Sequence, residues 1–303
     1  MKARPLTLKL AQLQAFVHIV AAGSFRGAAL QMEVSQPALS RAIQQAEGLL
    51  GARLFDRDTR HLQITAVGRE LLPIAQRVLR EFDASFGELG QFLQGHTGTV
   101  AVVSLPSIGA SLLAPAVASF RALYPQVEFR LIEAPAENLL RMIEEGQADF
   151  GLSVKPMPDR RLRYRHLLDD PFVLLCRQDD PLAVRKEVPW SIFATRPFIG
   201  SQPRSSIRQI TDAVFLQRRM SVRASLEYPS VSAGASMVLA GAGITALPRL
   251  ALSLVNMEGM RAVPLVRPHM LRSMGVIHRI GKTLAPASAL FSQHLTEQIH
   301  AAA

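Results

Sequence analysis

The chain has 303 residues, with 34 Lys and Arg against 24 Asp and Glu, a formal charge of +10 and 49% apolar residues. That length fits about two domains with enough apolar side chains for sizeable cores, while a basic balance alone means only solubility or generic polyanion affinity. A single cysteine excludes an internal disulfide and a cysteine-built zinc cluster, and the eight histidines show no metal-ligand spacing. Residues 1–69 hold nine Lys and Arg against four acids, half the excess in under a quarter of the length. No apolar stretch reaches transmembrane length and none reads as a signal peptide, since Lys9, Gln12, Gln14 and His18 interrupt the segment from Leu8 to Val20. A cytoplasmic location is expected. Cys176 lies in an apolar run from Phe172 and reads as a buried, inert thiol.

The first predicted element is an amphipathic helix, with Leu10, Leu13, Phe16, Val17 and Val20 at steps of three or four, Thr7 as cap and Gly23 as stop. Two shorter helices follow. Ser24 and Ser35 stand where N-caps belong, and Pro37 falls in a first turn, where a missing N–H costs nothing. Glu33-Val34-Ser35 connects the two helices. Ala28, Leu30, Met32, Leu39, Ile43, Ala46 and Leu50 are expected in a small trihelical core. This is the pattern of a helix-turn-helix, whose second helix reads the DNA major groove. Around its cap and along its outward side would stand Ser35, Gln36, Pro37, Ser40, Arg41, Gln44 and Gln45. The forked ends of Gln and Arg can bond two atoms on one base edge, about 1–3 kcal/mol of discrimination each.

Residues 54–57 and 61–64 read as two strands of a wing turned by Asp58-Thr59-Arg60. Arg57, Arg60 and His61 cluster at its tip, suited to phosphate or the minor groove, or to an ordinary solvated turn. Thr65 is expected to cap a long helix reaching about Leu93. Its seam is Leu71, Ala75, Val78, Phe82, Phe86 (or Ser85), Leu89 and Leu93, at alternating steps of three and four. About 28 residues at about 1.5 Å each extend roughly 40 Å, too far for a small domain to cover. A partner helix from a second copy is expected there, holding two DNA-reading units at fixed separation. Pro73 should bend the helix, and Gly87 and Gly90 should weaken its far end.

Residues 95–98 form a hinge, after which strands alternate with helices. Strands are expected over 99–103, 127–133 and 150–154, with helices over 108–123 and 137–145. A second series has strands at 171–176, 197–200, 221–226 and 243–246 and helices at 205–217 and 231–239. A return strand over 272–280 and a last helix over 286–300 complete it. Repeated βα units imply parallel sheets in two lobes, with crossovers near 155–161 and 266–268. The expected partition is 1–65, 66–93, 94–98 and 99–303, with lobe I holding 99–161 and 267–303 and lobe II 162–266. Small ligands settle in such clefts at strand ends and helix starts. Ser104, Pro106 and Ser107 open a helix in lobe I, and Ser201 and Gln202, with Arg204 nearby, occupy the comparable place in lobe II. Their hydroxyls and nearby backbone N–H groups suit a carboxylate.

The ordered pieces Phe16-Val17, Gly23-Ser24-Phe25, Ala28-Ala29, Ser35–Ser40, Glu47, Gly51, Leu54–Arg57, Thr65 and Gly68 resemble the LysR-type transcriptional regulators. Weaker matches at 120–125, 146–151 and 241–248 extend the resemblance over essentially the whole chain. It implies an α/β protein with an N-terminal winged helix-turn-helix, a dimerising linker helix and a two-lobed effector domain like periplasmic binding proteins. It further implies a dimer of dimers on an operator, a small and often anionic effector, and RNA polymerase as a further partner. Gln36, Pro37, Ser40 and Arg41 would face DNA, with Arg57 in the wing. Three positions depart from that pattern. Ala46 stands where leucine is usual, Ala66-Val67 alters the start of the linker helix, and Ala134-Pro135 replaces a polar contact, suggesting a less polar cleft wall around Pro135.

Catalysis is not expected. Gly241-Ala242-Gly243 lacks the rest of a dinucleotide fingerprint, no phosphate loop of the Gly-Lys-Ser/Thr type occurs, and no cofactor or metal is implied. The sequence therefore points to a DNA-binding regulator of an interrupted palindromic site, governed by an effector between two lobes. The alternative is a DNA-binding architectural protein or a constitutive repressor without a ligand.

Overall fold

Serine caps and glycine stops set the N-terminal helices. The computed structural model describes residues 7–57 and 62–302, so the wing tip with Arg60 and His61, and the side chain of Arg57, lie outside it. Helix α1 (Leu10–Ala22) is closed by Gln12, whose Oε1 accepts from the Lys9 N–H at 2.9 Å. The cap thus falls at Lys9 rather than at Thr7. Gly23 ends α1 in the left-handed region at φ 64°. In α2 (Phe25–Gln31) and α3 (Gln36–Leu50), the Ser24 and Ser35 hydroxyl oxygens accept from the N–H groups of Gly27 and Ala38 at 3.0 and 3.3 Å. Phe16, Ile19, Ala28, Leu39, Ile43 and Ala46 form the trihelical core. Leu30 does not join it and is 83% exposed. The two-turn α2 spends its inner side on Ala28 and Ala29, and the next position rotates away from the crossing.

Strands β1 (Phe55–Arg57) and β2 (Leu62–Ile64) pair antiparallel, Phe55 opposite Ile64. Glu47 anchors their base from α3, its Oε1 accepting from the N–H groups of Leu54 at 2.8 Å and Phe55 at 3.4 Å. Helix α4 (Ala66–Leu93) starts under Thr65, whose Oγ1 accepts from the Gly68 N–H at 3.0 Å. Only glycine fits at 68, because a Cβ there would lie 2.6 Å from the Leu54 carbonyl oxygen and from Ile64. α4 continues as a helix through Pro73. Its expected seam divides in two. Leu71, Ala75 and Val78 pack on the trihelical core, whereas Phe82, Phe86, Leu89 and Leu93 stay exposed.

The chain divides into two units, the first ending at Gly90 and the second starting at Gln91. The second opens with β3 (Gly98–Ser104) and a helical stretch of three parts: α5 (Pro106–Ile108), a π-helical turn over Gly109–Leu113, and α6 (Ala114–Leu123). The expected single helix is widened there because Pro115 has no N–H for the residue four before it, and its ring crowds that carbonyl. Next come β4 (Val127–Glu133), α7 (Ala136–Glu144), β5 (Phe150–Val154), β6 (Leu162–Arg177) and β7 (Val188–Pro189). The series continues with β8 (Phe198–Ser201), α8 (Ser206–Gln217), β9 (Ala224–Tyr228), α9 (Val231–Leu239) and β10 (Thr245–Pro248). It ends with β11 (Met260–Val266), β12 (Leu271–Arg279) and α10 (Pro286–Ala302).

The main sheet runs β4-β3-β5-β12-β6-β11-β7, with β10 also paired to β6. β3, β4 and β5 are parallel, and β12 is antiparallel to β5 and β6. Asp149 locks this end, its Oδ2 accepting from the Ala101 N–H at 2.9 Å and the Ser288 hydroxyl at 2.8 Å. Phe120, Phe150 and Phe291 centre the lobe I core; Trp190, Phe198 and Phe215 centre that of lobe II. The first crossover expected at 155–161 is displaced. β6 pairs with β12 over 162–171 and with β10 and β11 from Phe172 onward, so residues 162–170 belong to lobe I and the boundary falls at Pro171. A proline without an N–H suits the point where a strand exchanges partners. Among the described residues no single helix is long and apolar enough to cross a membrane; the bent pair α1 and α2 is apolar enough together, and it packs into the trihelical core.

Candidate functional site

Two places combine exposed polar chemistry with a defined frame: the outer side of α3 and the cleft between the lobes. On α3, Gln36, Pro37, Arg41, Gln44 and Gln45 are exposed and Ser40 half-buried, on a side opposite Leu39, Ile43 and Ala46. Positions 36, 40 and 44, and 37, 41 and 45, recur every four residues and therefore share one helix face. Ser35 is committed to the cap, where it orients the first turn. The turn before it carries Glu33 in the left-handed region at φ 53°. Ala46, small as it is, is fully buried, so α3 lies close against its neighbours.

The cleft holds a cavity of about 770 Å³. Lobe I supplies Pro106, Ser107, Glu133, Pro135 and Glu137, and lobe II supplies Ser201, Gln202, Arg204, Ser205 and Ser230. Five of the six residues expected at the ligand site thus line one cavity. Ser104 is buried at the end of β3 and does not line it; its carbonyl accepts from the Ala134 N–H at 3.1 Å. The starts of α8 and α9 both open onto the cavity. Ser205 caps α8 through the Arg208 N–H at 3.0 Å and donates to the Ser201 hydroxyl at 2.8 Å, and Ser230 caps α9 through the Ala233 N–H. Such helix starts favour negative charge. Arg208 steadies this wall from behind, with Nη1 donating to the Ser201 carbonyl and to Glu227 Oε1 and Nε donating to Asp212. Those two carboxylates raise the Arg208 pKa, Glu227 most strongly, against the opposing effect of burial.

The floor of the cavity was not legible in the sequence. Arg272 from β12 donates through Nη2 to Asp170 Oδ2 at 2.6 Å and to the Ser107 hydroxyl at 3.0 Å. Asp170 Oδ1 accepts from the Leu250 N–H at 3.0 Å. One chain of hydrogen bonds therefore joins the lobe I helix start, both crossover strands and lobe II. Arg272 and Asp170 are nearly wholly buried. Burial lowers the Arg272 pKa, and the Asp170 carboxylate opposes it; a guanidinium stays charged under such a pull. The available signal was a charge in the inward register of an apolar strand, since Arg272 alternates with Leu271 and Ser273 and shares its inner face with Met274.

Cys176 is fully buried in the lobe II core, and burial pushes its thiol up to about 11. It is a packing residue. Among the described residues no group of three or more His, Cys, Asp or Glu side chains is arranged to hold a metal ion.

The family model for the bacterial regulatory helix-turn-helix protein, lysR family, matches residues 10–69, and that for the LysR substrate binding domain matches residues 93–299. The chain belongs to the LysR family of transcriptional regulators. It is similar to the HTH-type transcriptional regulator YbhD of Escherichia coli (strain K12), with 30% identity over 93% of this chain and 89% of that protein. In fold it is similar to the crystal structure of CbnR, a LysR family transcriptional regulator, with a TM-score of 0.75 at 19% identity over 95% of this chain and 99% of that one. Full-length CbnR complexed with its target DNA gives a TM-score of 0.73 at 19% identity, over 96% and 99% of the two chains. As a LysR-family member, this protein is a DNA-binding transcriptional regulator with a helix-turn-helix and an effector-binding domain.

Proposed function

We propose that this LysR-family regulator reads an interrupted palindromic promoter site through α3 and its wing, and that a small ligand with an anionic group in the cleft adjusts its hold. The observation that carries the reading is the polar face of α3. Gln36, Arg41, Gln44 and Gln45 project together from a capped and tightly packed helix, the arrangement that a major-groove reader needs. Ser35, Pro37 and Ser40 set the first turn against the backbone, and Arg57, Arg60 and His61 serve phosphate or minor-groove contacts. The complex of CbnR with its target DNA supports this for a protein of the same fold.

The exposed Phe82, Phe86 and Leu89 of α4 suit pairing with a second copy. A dimer of dimers follows on a two-fold operator, with RNA polymerase as a further partner, in the cytoplasm and without catalytic work. Pro106, Ser107, Pro135, Ser201 and Gln202 form the ligand walls, with Ser104 supporting them. The test is to footprint the full-length protein on the DNA upstream of its own gene, with and without fractions of a small-metabolite extract. At least one fraction should change the length or affinity of the protected region. A footprint indifferent to every fraction would favour the constitutive repressor.

A further inference from the structure

The two walls of the cleft carry opposite charge. The lobe I wall contributes Glu133 and Glu137, both exposed, while the lobe I cation lining the cavity, Arg272 of β12, lies on the floor and is paired with Asp170. The Glu133 carboxylate lies over Gly109, where a built Cβ would meet its Oε1 at 3.1 Å. Lobe II contributes Arg204 and no acid, together with the starts of α8 and α9 and their serines. Glu133, Glu137 and Arg204 form no ion pair among the described residues. On the floor, Arg272 is 2% exposed and its Nε–H has no acceptor among the described residues. A buried donor without a partner is costly unless something else supplies the acceptor.

We propose that the cleft takes an amphoteric ligand, a small molecule bearing one carboxylate and one ammonium group. The carboxylate lies toward the charge of Arg272, Ser107 and the starts of α8 and α9; the ammonium faces Glu133 and Glu137. This rests on the ligand-controlled reading above and narrows it from any anion to one charge pattern. A ligand anionic at both ends would set its second charge against two unpaired carboxylates in a partly enclosed space, where like charges repel strongly. A plain amine would offer no anion to Arg204, Arg272 and the two helix starts. Glu137 also complements the positive end of α7, but Glu133 ends a strand and has no such helical duty.

The test compares probes of matched length on the full-length protein by thermal shift and calorimetry. The amino acids are β-alanine, γ-aminobutyrate and ε-aminocaproate, with the common α-amino acids. Their rivals are malonate, succinate and adipate, and propylamine, butylamine and hexylamine. At least one amino acid should raise the unfolding temperature, and its same-length rivals should bind at least about tenfold more weakly. The variant Glu133→Gln, exposed and outside the core, should lower that preference about tenfold without shifting the unfolding temperature of the free protein. A dicarboxylate binding as tightly as the amino acid overturns the charge pattern while sustaining ligand control. If no amino acid binds, the proposal is also overturned, and the metabolite footprint above decides ligand control separately.

Discussion

The α3 face and the cleft are built in opposite ways. The proposed DNA-reading face comes from ten consecutive residues, Gln36 to Gln45, on one helix, and its Gln and Arg side chains are exposed. The cleft gathers segments near residues 106, 134, 202, 230 and 272, and its floor is tied by hydrogen bonds spanning 102 and 165 residues. A contiguous face can change its chemistry one residue at a time without cost to the fold. An assembled cavity cannot, since its deepest residues also hold the lobes together.

The largest expected effect tests the second half of that contrast. Arg272→Met strands the buried Asp170 carboxylate and should lower stability in urea by about 3–5 kcal/mol. Adding Asp170→Asn should recover part of that loss. If the single variant unfolds like the parent, the cleft floor is not structural and the contrast fails. The next effect tests the first half. Arg41→Ala should weaken specific operator binding by about 1–3 kcal/mol in fluorescence anisotropy while leaving the unfolding temperature unchanged. Loss of stability together with binding would show that the face is part of the frame. The smallest concerns acid. Burial, then Arg163 and Arg165, hold the His278 imidazole below its ordinary value. The folded state therefore binds this proton less readily than the unfolded chain. The associated stability is full above the ordinary imidazole value and is lost as pH falls through the lowered one. His278→Gln should flatten the acid limb of urea-unfolding profiles slightly; an identical limb would remove His278 as its cause.

Legibility followed the same division. Ser24, Ser35, Pro37 and Gly23 announced the helix-turn-helix because caps and stops act within a few residues. Leu30 misled because α2 is too short for periodicity to distinguish its inner from its outer side. In the second unit, Val127–Glu133, Phe150–Val154 and Val231–Leu239 were readable as apolar runs between clear stops. The first half of β6 was missed because Arg163, Arg165 and His166 break its apolar pattern, and β11 because Pro264 sits inside it. Arg272 stood out locally as a charge in an inward register, but its pairing with Asp170 could not be read, since nothing local couples two residues from different strands.

Strand β6 carries one last consequence. It is hydrogen-bonded to β12 below Pro171 and to β10 and β11 above it, so the lobes share a spine and are not two bodies on a slack tether. Motion of one lobe against the other centres on β6 at Pro171 and on the second crossover between β11 and β12. A ligand of the proposed kind, lodged beside such a spine, would act by altering how far it is wound.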